Sequence, residues 1–164
     1  MPELTPAQTV GPFLHLALAD PALRDGVGPE TPGAITIRGT VVDGDGAPVP
    51  DAVVETWQAG GPFTRCATDR DGAWSVTTVP PTAVPTLDGT PQAPHLAVSV
   101  FARGLLDRVV TRLYFDGDPA NATDPALAAA GRRAGRLLAR ADGPGAWRYD
   151  IRLQGDDESV FFAI

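Results

Sequence analysis

Between Trp147 and Leu153 the chain alternates without a break. Trp147, Tyr149, Ile151 and Leu153 are aromatic or aliphatic, and Arg148, Asp150 and Arg152 between them are charged. Strand side chains project to opposite faces with a period of two, so this segment reads as a strand with one buried and one wet face. The rest of the chain carries the same signal in shorter pieces. Ile35-Thr36-Ile37-Arg38-Gly39-Thr40-Val41-Val42-Asp43 runs into Gly44-Asp45-Gly46, a turn, with residues 52–58 as the return strand. Residues 73–78 follow the turn signal Asp71-Gly72 and stop at Pro80-Pro81. Residues 96–101 and 108–115 read as two more strands on either side of Arg103-Gly104, and 159–163 as a last one.

The chain has 18 glycines and 17 prolines among 164 residues, a density of turn formers that suits many short strands. Two segments differ. Residues 1–33, rich in proline and glycine, read as an extended N-terminal arm with at most a helical turn near 17–23. Residues 124–140 carry Ala, Leu and Arg at helical spacing with no β-branched residue, which predicts one short surface helix, weakened by Gly131 and Gly135. The expectation is therefore an all-β chain. It is a two-sheet antiparallel β-sandwich over residues 34–164, with the 1–33 arm part of the same domain.

A net charge of −7 disfavours nucleic acid and anionic membranes as partners. Cys66 is the single cysteine, so no internal disulfide can form, and it reads as a passive small residue. Met1-Pro2-Glu3 is not a basic region followed by an apolar stretch, and no apolar run reaches the roughly 20 residues of a membrane span, so the cytoplasm is the expected location. A self-contained metal site needs three or four converging ligands. His15 and His95 lie in different segments with no second histidine two to four residues away. Asp43, Asp45, Asp69 and Asp71 lack a calcium-loop pattern and read as turn formers, and Asp43-Gly44-Asp45-Gly46 has no helix after it to cradle a phosphate. No nucleophile elbow occurs. From the residues alone the chain has no catalytic site.

Several segments nevertheless resemble one family in order along the chain. They are Gln8-Thr9-Val10-Gly11-Pro12-Phe13-Leu14-His15-Leu16; Gly39 to Asp43 with Glu55-Thr56-Trp57-Gln58-Ala59; and Thr68-Asp69-Arg70-Asp71-Gly72-Ala73-Trp74. They continue with Ala93-Pro94-His95, Ser99-Val100-Phe101-Ala102-Arg103-Gly104, Thr111-Arg112-Leu113-Tyr114-Phe115, and Tyr149 to Gly155 with Val160-Phe161-Phe162. This set is similar to the intradiol ring-cleaving dioxygenases, and within them to the two-subunit members that open 3,4-dihydroxybenzoate with O2 between its hydroxylated carbons. Their product is 3-carboxy-cis,cis-muconate, in aromatic catabolism.

The resemblance implies a non-haem Fe(III) held by two tyrosines and two histidines two apart on a strand. Here those histidine positions are His95 and Ala97, residues 59–67 contain no tyrosine, and Tyr114 and Tyr149 fall outside the ligand positions. It therefore implies an iron-free α subunit, inactive alone and partnered with a homologous β subunit that carries the Fe(III). This chain would contribute no catalytic and no metal residue, but Thr9, Gly11, Pro12, Phe13 and Arg103 would line the substrate pocket. A competing reading is a transthyretin-like binding or bracing module, which fits residues 34–80 and leaves the arm and the later segments unexplained.

Overall fold

A computed structural model of the chain describes residues 6–11, 13–14 and 18–163. Its strands are β1 (Ile35–Val42), β2 (Val53–Trp57), β3 (Thr64–Ala67), β4 (Ala73–Thr78), β5 (Val84–Pro85), β6 (Pro91–Gln92), β7 (His95–Phe101), β8 (Val109–Phe115), β9 (Leu138–Ala141), β10 (Ala146–Arg148) and β11 (Ile151–Arg152). An α-helix, α1 (Pro125–Ala130), lies between 3₁₀ turns at Pro119–Thr123 and Gly131–Leu137. The fold is all-β, as the alternation and turn density require.

Nine strands form one sheet, eight along the path β11-β1-β10-β9-β8-β7-β2-β3 and β4 on the other side of β1, and β5 and β6 pair separately. The path folds over on itself at β9, so that Ile37, Val41 and Val76 from one half share a core with Val54, Leu96, Val98 and Leu113 from the other. Complete burial of each such side chain contributes about 1.5–3 kcal/mol. A second, smaller core under α1 gathers Tyr114, Leu127, Leu137 and Val160. Pairing is mixed where an antiparallel arrangement was expected: β1–β10, β1–β11 and β8–β9 are parallel.

The expected hairpin between residues 35–43 and 52–58 does not form. β1 pairs instead with β4, Ile35 opposite Thr78 through Thr40 opposite Ala73, while β2 pairs with β3 and β7. The turn is present, with Asp43 Oδ1 accepting from the amides of Asp45 and Ala47. After it, Pro48 and Pro50 cannot donate to a ladder, and only an isolated bridge links Val42 to Pro48. The chain thus leaves β1 and crosses to the other half.

The alternating tail is split into β10 and β11, both along β1 in one register, Arg38 opposite Arg148 and Val41 opposite Ile151. Between them the side chain of Asp150 substitutes for a backbone partner, accepting from Thr40 N at 2.9 Å. Gly39 makes this possible, because a Cβ there would sit 1.8 Å from the Tyr149 carbonyl oxygen. Residues 124–140 hold less helix than their spacing suggests. Gly131, at φ 55°, ends α1, and β9 begins at Leu138. Residues 159–163 make one bridge, Val110 to Phe162, rather than a strand.

Candidate functional site

Two sequence-predicted site segments meet at one end of the sheet. Gly104 N, in the turn after β7, donates a 2.9 Å hydrogen bond to Thr9 Oγ1 of the arm. Gly104 has φ +93°, a conformation that costs glycine little, and nothing crowds the place of its absent side chain. Gly11 also takes a positive φ, 75°, and its carbonyl accepts from Leu14 N, turning the arm. Leu14 is thereby buried while Phe13 is 71% exposed. Pro12 lies outside the described residues. Beside this junction a half-open cleft of about 480 Å³ is lined by Gln8 and Val10 from the arm and by Phe101, Leu105, Asp107 and Arg108.

Arg103 stands on the same turn, its Nε 3.0 Å from Asp51 Oδ2. Its side chain remains 64% exposed, so the pair steers the guanidinium more than it stabilises the fold. Asp51 carries no sequence signal of its own, since a turn aspartate before a strand is common.

The second region is built around His95 and Tyr114, which are register partners on β7 and β8 with ring centroids 5.1 Å apart. His95 Nδ1 is 2.8 Å from the Ala93 carbonyl oxygen. Tyr114 OH donates to Asp124 Oδ1 at 3.1 Å and accepts from Arg112 Nη1 at 3.1 Å, while Arg112 also donates to Gln92 Oε1. Asp124 further accepts from the amides of Ala93, Ala126 and Leu127, capping α1 and tying it to the strand before β7. Burial alone would raise the Asp124 carboxyl, but these donors together hold it below its ordinary value. Burial, with the neighbouring Arg112 charge, lowers His95. Neither the Asp124 hub nor the Arg112 bridge was singled out from the sequence. Asp124 directly before Pro125 is a helix-start signal, but nothing local reveals its reach to residue 93.

This region does not fit a ferric ion. The position two residues after His95 is Ala97, a methyl group directly across from Arg112, so a guanidinium occupies the next strand in that row. Both tyrosine hydroxyls are already engaged by the protein, Tyr114 OH donating to Asp124 Oδ1 and Tyr149 OH to the Arg112 carbonyl. Among the described residues no three His, Cys, Asp or Glu side chains converge.

Compared with known proteins, the chain is 40% identical over 195 aligned positions to the protocatechuate 3,4-dioxygenase alpha chain of Pseudomonas putida, covering 99% of this chain and 96% of that one. The chain belongs to the protocatechuate 3,4-dioxygenase alpha-chain family. The alpha chain of Burkholderia cepacia is 34% identical over 98% of this chain and 97% of its own length. The beta chain of the Burkholderia cepacia enzyme is 31% identical over 92% of this chain and 76% of its own. The alignment to the Pseudomonas alpha chain is longer than this chain's 164 residues, so that relative carries segments absent here. No family model matches. Among solved structures, the dioxygenase domain of a dioxygenase and carbohydrate-binding fusion from Streptomyces sp. SirexAA-E aligns with a TM-score of 0.62 at 26% identity, over 93% of this chain and 99% of that one. Catechol 1,2-dioxygenase from Acinetobacter sp. ADP1 aligns with a TM-score of 0.63 at 20% identity, over 82% of this chain and 58% of that longer chain, a likeness of fold. Matches to the alpha-chain family run through the arm and the closing segments alike, which sets aside the transthyretin-like module.

Proposed function

We propose that this chain is the α subunit of a protocatechuate 3,4-dioxygenase, holds no iron of its own, and completes an active site whose Fe(III) is carried by a homologous β subunit. The observation that carries this reading is the Thr9–Gly104 bond, which joins the arm to the Arg103 turn beside a cleft at the sheet end. Support also comes from the likeness to both alpha and beta chains, and from a His95 region whose donors do not fit a ferric ion.

When bound in the β subunit, Fe(III) would supply activation of the catechol ring toward O2. This chain's part is to bind and orient. Gly11, without a side chain, lets the backbone of the arm form a close wall, and Pro12 is assigned to the same pocket. Phe13, exposed in the isolated chain, offers an aromatic edge and excludes water once covered. It has no hydroxyl, so it positions by contact and not by hydrogen bonding. Arg103, oriented by Asp51, supplies a fixed cation for the carboxylate of 3,4-dihydroxybenzoate. No helix among the described residues is long and apolar enough to cross a membrane. We place the assembly in the cytoplasm, where its product, 3-carboxy-cis,cis-muconate, enters the β-ketoadipate route of aromatic catabolism.

Co-expression with the homologous β chain tests the proposal. The expected complex is brick-red, contains one iron per αβ pair and opens protocatechuate, whereas this chain purified alone is colourless and inactive. A red preparation of the chain alone, with iron near one per chain, overturns the assignment.

A further inference from the structure

Where β1 begins and β4 and β8 end, their termini surround a half-open cleft of about 530 Å³. Phe115, the last residue of β8, and Trp147 of β10 stand edge to face in it, their ring centroids 4.8 Å apart at 84°. Ile35, Pro80, Pro81 and Pro94 add to the apolar lining. Two carboxylates belong to the same cleft, those of Asp116 and Asp118. They flank Gly117 in a tight turn, closed by Asp118 N donating to the Phe115 carbonyl at 3.3 Å. Gly117 has φ 83°, the conformation that such a turn requires of its third residue. Asp116 N donates to the Ala139 carbonyl at 2.9 Å, so the backbone anchors both acids beside Phe115. Asp118 Oδ1 accepts from Ala120 N. Among the described residues neither carboxylate has an ionic partner, and no basic side chain lines the cleft.

We propose that this cleft binds a small organic cation, a quaternary ammonium carried on an apolar body. Asp116 and Asp118 hold the charge, and Trp147, Phe115 and the prolines cover the hydrocarbon. The lining decides between ligand classes. An anion would meet two carboxylates and few donors, because three lining residues are prolines without an amide hydrogen and the amides of Asp116 and Asp118 are already taken. Protocatechuate and its ring-opened product are anions, and this lining refuses both. A metal ion needs a shell of several ligands, and no three His, Cys, Asp or Glu side chains converge among the described residues. A quaternary ammonium donates no hydrogen bond and is weakly hydrated, so it loses little on leaving water. It is drawn to aromatic faces as well as to carboxylates. The cleft's volume is that of a small-molecule site.

Isothermal titration of the αβ complex with benzyltrimethylammonium tests this. Saturable binding at a single site per αβ pair is expected. Neutral benzyl alcohol and anionic phenylacetate should bind at least about tenfold more weakly. The D116N/D118N variant removes both charges while keeping side-chain volume and the capping oxygen at 118, and should weaken the cation by about tenfold or more. Trp147→Leu should weaken it too, whereas Trp147→Phe, which keeps an aromatic face, should retain most of the affinity. Asp45→Asn, outside the cleft, should change nothing, which separates a site from the general pull of a chain with net charge −7. Absence of saturable binding, equal affinity for benzyl alcohol, an unaffected D116N/D118N variant, or an equal loss in Asp45→Asn each overturn the proposal. Dissociation of the αβ pair in D116N/D118N would give the cleft to the partner subunit and overturn it as well. Iron content and kcat for protocatechuate should be the same in D116N/D118N and wild type, and they report on the ring-opening reading separately.

Discussion

Thr9 Oγ1 accepts the amide of Gly104 at 2.9 Å across 95 positions of sequence. One bond therefore fixes where the arm meets the turn that carries Arg103, and the arm's placement depends on a hydroxyl that valine lacks at nearly the same volume. Thr9→Val is expected to loosen the arm and leave the core intact. The bond is exposed and contributes about 0.5–1.5 kcal/mol. Hydrogen exchange at the Gly104 amide should accelerate several-fold, while amides of β7 and β8 hold their protection. Unchanged exchange at Gly104 would show that the arm is held by other contacts.

Arg103→Ala in the assembled αβ complex is expected to lower kcat/KM for protocatechuate more than about tenfold, the loss of a desolvated charge-assisted contact of at least about 1.4 kcal/mol. The ion pair with Asp51 is exposed, so Tm should move by no more than about 2 °C. Iron content should stay the same. Steady-state kinetics with unsubstituted catechol provide the control, because a substrate without a carboxylate should be almost indifferent to the change.

Asp124 links acid stability to one residue. Its folded value lies below the ordinary carboxylate range, so its stabilisation is present above the unfolded value near 4 and is lost as pH falls through the folded one. Asp124→Asn should cost about 2–3 kcal/mol at pH 7, since with Oδ1 kept on the helix cap the amide nitrogen would face the Ala93 N–H, a donor against a donor. It should also flatten the dependence of stability on pH below about 4. Urea titrations across that range decide it: equal slopes for both proteins would remove Asp124 from the linkage.

Tyr114 and Tyr149 are the only tyrosines, and both are held up to about 12 by burial. Raised folded values mean that stability is complete below the unfolded value near 10 and declines as pH rises toward 12. Absorbance at 295 nm should show no ionisation step near pH 10 in the folded chain. Both phenolates should appear together with loss of native circular dichroism.

Gly39→Ala is expected to be among the most damaging small substitutions, because its methyl group would lie 1.8 Å from the Tyr149 carbonyl oxygen in the middle of a ladder. Separation of β1 from the tail strands should cost about 3 kcal/mol or more and lower Tm by roughly 10 °C. Gly135→Ala meets nothing within 4 Å and serves as the control.

Strand identity was legible wherever alternation was strong, as in β1, β4, β7 and β8. Partner choice was not. A turn after β1 suggested a hairpin, yet Pro48 and Pro50 lie in a crossover, and periodicity is silent about which strand lies on the far side. β3 escaped because four residues, Thr64 to Ala67, are too few to alternate visibly. At the site, the arm and the Arg103 turn were found through family likeness, since an exposed threonine and an exposed arginine carry no local pattern. Their meeting across 95 residues, and the Asp51 contact, are products of the tertiary fold. Asp124 shows the same limit, because the proline after it marks a helix start while its bond to Ala93 is set by packing.

The parallel tail also sets the order of events during synthesis. β1 can pair with β4 soon after residue 78 emerges, but its other edge waits for residues 146–152. At about 5–20 residues per second, the interval from Val42 to Ile151 lasts roughly 5–20 s. Throughout it, β1 presents an open edge to every neighbouring nascent chain. Arg38, projecting beside that edge, is the kind of charge that discourages sideways pairing between strands. A newly made chain is therefore most exposed to aggregation just before its last strands arrive.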